Sequence, residues 1–166
     1  FPDSMAIVAE AHLERWGLGF DEAMRVALAG LARRSSAPLT AIAPGVYASP
    51  WQDEYDASRI LLPEVLRGLE VEGDLVAVCP SRGLLVVTGS DDHDGLEHVL
   101  EYAESRLGQP GAASALPMRY AWPEWRSFEP DPRHPVHRRW QHLRAVELGS
   151  VYGQQRELLQ RLAAAR

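Results

Sequence analysis

A chain of 166 residues, 46% apolar and 24% charged, has the composition of an ordinary globular protein and enough length to bury about 70% of its unfolded surface in one core. Its apolar runs all fall short of a membrane span, and its single cysteine, Cys79, excludes an internal disulfide framework or a multi-thiolate metal site. The formal charge is −6, there is no lysine, and a Schiff-base, P-loop or kinase-type lysine is therefore excluded.

Charge is unevenly placed. From residue 132 onward there are seven arginines against two glutamates, net +5, which leaves −11 for residues 1–131. Such a basic tail either lies on its own acidic body or meets an acidic partner. The single thiol and the lack of a charged-then-apolar leader suggest the cytoplasm. The chain opens at Phe1 rather than methionine, so upstream sequence is expected.

In chain order, residues 5–9 read as a short edge strand followed by a helical turn. Asp21 and Glu22 then open a helix to Arg34, with Met24, Ala27, Leu28 and Leu31 on one face and Arg33 and Arg34 at its end. Pro44-Gly45 turns into a strand at 46–49. Asp56 is placed to cap the next helix, whose buried face is Ala57, Ile60, Leu61, Val65 and Leu69. Pro63 requires a kink near 59–62 or a separate first turn.

Leu75 to Val78 and Leu84 to Val87 form two apolar runs across a five-residue break, the signature of a β-hairpin. Leu96, Val99, Leu100, Ala103 and Leu107 make a helical stripe that must cover a sheet, with Asp94 as its expected cap. A last strand is expected at 115–121. Residues 122–135, with four prolines, read as a connector. From His137 the chain is helical, with Leu158, Leu159, Leu162 and Ala163 as a stripe, broken around 149–153 into two helices.

The order is βαββαβ. It predicts an α+β fold: an antiparallel sheet of four to five strands with helices on one face, ferredoxin-like or a close relative, plus C-terminal helices. Residues 1–130 would be the core domain and 131–166 a helical extension packed on it.

The run Asp53-Glu54-Tyr55-Asp56-Ala57-Ser58-Arg59-Ile60-Leu61, followed by Gly73-Asp74-Leu75-Val76-Ala77-Val78 and Pro80, resembles the YtpQ-like family of uncharacterised bacterial proteins. The likeness extends more weakly back through 21–34 and forward to about residue 129, some two thirds of the chain. It implies a cytoplasmic α+β protein and brings no catalytic residue. Pro63, Cys79 and the arginine-rich tail depart from the pattern.

Two regions could carry function. Trp51, Asp53, Tyr55, Asp56, Ser58 and Arg59 cluster where a strand hands over to a helix, and with Arg82 the turn could hold an anionic small molecule. The structural explanation is that Asp56 caps and Arg59 ion-pairs to fix the loop. Trp122, Trp125, Arg126, Arg138, Arg139 and Trp140 have the residue types that dominate protein interfaces. Glu124, Glu129 and Asp131 are interleaved with them, which disfavours nucleic acid.

Asp91-Asp92-His93-Asp94 lacks the ligand spacing of a calcium loop. His134, His137 and His142 lack obvious partners for a zinc site. Cys79 follows a strand rather than opening a helix, so nothing there lowers a thiol pKa. Neither Gly-x-Ser-x-Gly nor Gly-x-Gly-x-x-Gly occurs. The expectation is a non-catalytic domain that binds a protein partner or itself through the 122–140 segment and the C-terminal helices, with no cofactor, metal or membrane; the alternative is an enzyme or sensor for an anionic ligand at 51–59.

Overall fold

The computed structural model describes residues 7–109 and 111–164. The chain forms two compact units, Phe1–Ser36 and Ala37–Arg166.

The first unit holds helices α1 (Glu10–Trp16) and α2 (Phe20–Arg33). Gly17, at φ 66°, adopts the left-handed conformation that ends α1, and its N–H reaches the Glu14 carbonyl at 3.1 Å. The acidic first turn and basic last turn of α2 lie where the sequence put them. Leu13, Trp16, Leu18, Phe20 and Met24 line a hollow of about 370 Å³ within this unit. The strand expected at 5–9 lies partly outside the described residues; residues 7–9 belong to no strand and lead into α1.

The second unit is α+β, built on a six-stranded antiparallel open sheet. Its strands are β1 (Thr40–Ala43), β2 (Val46–Ala48), β3 (Leu75–Ser81), β4 (Leu84–Gly89), β5 (Ala112–Ala121) and β6 (Glu124–Ser127). Spatial order is β1-β2-β4-β3-β5-β6. Its helices are α3 (Pro63–Leu66), α4 (His93–Arg106) and α5 (His137–Ala164), and a 3₁₀ turn, Ala57–Leu61, precedes α3. Among the described residues no helix is long and apolar enough to cross a membrane.

The β3–β4 turn is Arg82-Gly83 alone, shorter than the expected five-residue break. Pairing continues to Ser81 opposite Leu84, with a slip after Val78 that accommodates buried Pro80, a residue with no N–H for the ladder. The edge strands β1 and β6 are additions to the expected set. Their side chains are mostly exposed, so they carry no apolar period.

The central strands are buried on both faces. Val76, Val78 and Val86 point toward α4 and α5, whose Leu96, Val99, Leu100, Trp140 and Leu143 complete that core. Ala77, Leu85 and Val87 point the other way, onto Leu39, Ile60 and Leu66. The two long helices thus share one face, while the 3₁₀ turn and α3 cover the other. This is why β3 and β4 read as continuous apolar runs rather than as alternations.

Three local expectations are corrected. Asp92, not Asp94, caps α4, its carboxylate accepting from the Gly95 N–H at 2.8 Å. The segment after Asp56 is the separate first turn that Pro63 allowed, here 3₁₀, and what is corrected is the helix's reach, since α3 ends at Leu66, short of the expected Leu69. Residues 149–153 lie inside one helix of 28 residues. Glycine costs a helix about 1 kcal/mol but leaves its hydrogen-bond ladder intact, so Gly149 and Gly153 weaken α5 without ending it.

Candidate functional site

The 51–59 turn is tied together from within. Gln52 and Glu54 have φ of 52° and 64°, which aims backbone N–H groups inward. The Asp56 carboxylate, fully buried, accepts from the Gln52 and Asp53 N–H groups, both at 3.1 Å. Asp56 therefore closes the loop behind it and makes no cap to the 3₁₀ turn that follows, a correction to its expected role.

Arg59 is also fully buried. Its guanidinium donates to both Asp53 oxygens, at 2.7 and 2.8 Å, and lies 4.1 Å from the centre of the Trp51 ring. The Ala57 N–H donates to the Arg82 carbonyl at 2.9 Å, which fixes the turn to the β3–β4 hairpin. Tyr55 and Ser58 are exposed, and the Arg82 side chain lies 3.7 Å from Glu54 at the surface. The structure brings Trp51, Asp53, Asp56 and Arg59 together, and an anionic ligand at Arg59 would compete with Asp53 for the fork. The Trp51 indole N–H is buried and has no acceptor among the described residues.

The 122–140 segment does not form one surface. Trp122 is 80% exposed at the β5–β6 turn. Trp125 packs on the opposite face from α5, and its indole N–H donates to the Ile60 carbonyl at 3.0 Å. Arg126 pairs with Glu124 in the open. Trp140 is buried in the α4–α5 core. Arg139 donates to both Glu104 oxygens, at 2.8 and 2.7 Å, and approaches Glu101 at 3.6 Å, so it ties α5 to α4. Arg138 is exposed. Trp125, Arg139 and Trp140 are framework, while Trp122, Arg126 and Arg138 face outward.

The polar clusters are separate. Asp91, His93, Arg119, Glu129, Asp131 and His134 line a hollow of about 320 Å³, where the His93 and His134 rings lie 4.1 Å apart. Burial lowers the His134 pKa, and the neighbouring His93 pushes it the same way. Nδ1 of His134 accepts from the Val136 N–H at 3.2 Å. Nδ1 of His137 lies 3.0 Å from the Pro130 carbonyl, and His142 is exposed. Among the described residues no group of three or more His, Cys, Asp or Glu converges as metal ligands would. Burial pushes the Cys79 thiol up to about 12, which makes it a poor nucleophile.

The surface the sequence only half showed is the distal part of α5. Val146, Leu148, Val151, Tyr152, Leu158, Leu159 and Leu162 are all more than a third exposed, with Tyr152 and Leu159 at 66%. Once 149–153 is helical, the leucines at 158–162 join Leu148, Val151 and Tyr152 in one continuous row.

Comparison with known proteins finds no matching family model, no matching curated protein and no matching solved structure.

Proposed function

We propose that this chain is a non-catalytic interaction domain of the cytoplasm, whose contact surface is the distal half of α5. The observation that carries this is the row of apolar side chains facing outward over residues 148–162, on a helix whose first turns are buried in the core. An exposed apolar stripe of this length on a helix is a binding face. The proximal end is rigid: Trp140 and Leu143 are buried, Arg139 is held by Glu104, and the Glu147 carboxylate accepts from the Ala115 N–H at 2.7 Å.

The alternative of an anionic ligand at 51–59 requires that ligand to displace Asp53 from a buried guanidinium, a costly exchange. A photo-crosslinking amino acid at position 159, introduced in host cells, tests the proposal. The expected result is one discrete protein adduct, competed by a synthetic peptide of residues 145–164 and not by its Leu159→Glu version. Absence of any adduct at 159 overturns the reading.

A further inference from the structure

The exposed row on α5 is symmetrically spaced. Measured from Gln155, Leu148 and Leu162 lie seven residues either side, Val151 and Leu159 four, and Tyr152 and Leu158 three. We propose, building on the α5 reading above, that the partner is a second copy of this chain, its α5 lying antiparallel to the first with the two-fold axis at Gln155.

A two-fold contact requires a self-complementary patch, in which residue i meets j and j meets i. An antiparallel helix pair centred on Gln155 supplies this: Leu148 faces Leu162, Val151 faces Leu159, and Tyr152 faces Leu158, each pairing occurring twice. Gln155, the polar residue of the row, sits on the axis, where two side-chain amides can exchange N–H···O bonds. A lone polar residue in such a seam fixes register at some cost in strength. Parallel pairing would stack Tyr152 on Tyr152 and needs no such palindrome.

Charge supports the same arrangement. Residues 37–131 hold sixteen acidic side chains against six arginines, net −10, whereas the far half of α5 carries Arg156 and Arg161 with one acidic residue, Glu157. Antiparallel packing returns that basic end toward the acidic body of the other copy, and opposes the two helix dipoles. The Glu157–Arg161 pair runs along the helix away from the row, leaving the seam apolar.

The seam spans fifteen residues, about 22 Å of helix. An area of that size falls at the small end of specific interfaces, below about 1,200 Å², and its pairing is therefore weak and concentration-dependent.

Sedimentation velocity on the whole chain from about 5 to about 300 µM should show monomer converting to dimer, the range in which micromolar pairing is seen. Leu159→Glu should raise the dissociation constant by at least about 100-fold with an unchanged circular dichroism spectrum. Under mild oxidation Gln155→Cys should give a covalent dimer. Leu148→Cys should do so only when mixed with Leu162→Cys, the unmodified chain controlling for Cys79. A chain that stays monomeric throughout, a dimer indifferent to Leu159→Glu, or self-crosslinking of Leu148→Cys alone overturns the proposal. The position-159 adduct separates the two readings: a foreign protein in it, with a monomeric chain, refutes self-pairing and keeps the α5 surface, whereas no adduct refutes both.

Discussion

Asp53 meets Arg59 with two parallel hydrogen bonds of 2.7 and 2.8 Å, its own side chain 30% exposed and the arginine wholly enclosed. Removing only the carboxylate takes the bidentate partner from a buried guanidinium, a change that costs about 3–5 kcal/mol. Asp53→Ala should therefore lower the urea midpoint sharply. Adding Arg59→Met, which fills the space without charge, should recover part of the loss. A single variant as stable as the parent would show that the pair is not what holds the turn.

Two glycines in helices should respond oppositely to alanine. A Cβ on Gly95 would collide with the Thr88 hydroxyl and the Asp92 carboxylate, the groups that fasten the start of α4 to β4. Gly95→Ala should cost about 2–4 kcal/mol, combining overpacking with a disturbed cap. A Cβ on Gly149 meets nothing within 4 Å. Gly149→Ala should stabilise α5 by about 0.5–1 kcal/mol. Equal effects in thermal unfolding would refute this account of the two sites.

The contrast also explains what the sequence made legible. Elements with a clear apolar pattern were readable: β3, β4 and α4 bury theirs at Val76, Val86, Leu96 and their neighbours, and α2 shows a stripe at Met24, Leu28 and Leu31 that is only half-buried. The edge strands β1 and β6 were not, because pairing satisfies their backbones while their side chains face outward. Asp56 and Asp94 share a cause of error. Both precede helical residues, but a carboxylate caps according to where the N–H groups point, and backbone angles at Gln52 and Asp92 decide that. The exposed apolar row on α5 was half visible, since Leu158, Leu159 and Leu162 stand out. Reading Gly149 and Gly153 as a break hid the symmetry that links them to Leu148 and Tyr152. The aromatic segment misled for a different reason, because composition does not tell a Trp140 in the core from a Trp122 in solvent.

Cys79 should be nearly inert in the folded state. Burial pushes its thiol up to about 12, so at pH 8 the thiolate is about a thousandfold scarcer than for a free cysteine. Its S–H also points to the Ala57 carbonyl at 3.8 Å. Ellman's reagent at pH 8 should react on the timescale of unfolding, and at once in 6 M guanidinium, about the strength that denatures even stable domains. Prompt stoichiometric reaction of the native chain would sink this prediction.

Glu104 and Arg139 make the attachment of α5 to α4 sensitive to acid. The hydrogen bonds from Arg139, chiefly, hold the Glu104 carboxyl below the usual carboxylate value. A carboxyl whose folded pKa is depressed contributes stability that is fully present above its unfolded value, about 4.3, and is lost as pH falls through the lower folded value. Both side chains are about one third exposed, so solvent screening limits the contribution to about 1 kcal/mol or less. Glu104→Gln should thus be slightly less stable than the parent at pH 7, and the gap should close as pH is lowered below about 4, where the parent carboxyl becomes protonated too. Urea unfolding at intervals from pH 7 to pH 3 measures this, and two curves that stay parallel throughout would show that the pair does not tie the helices together.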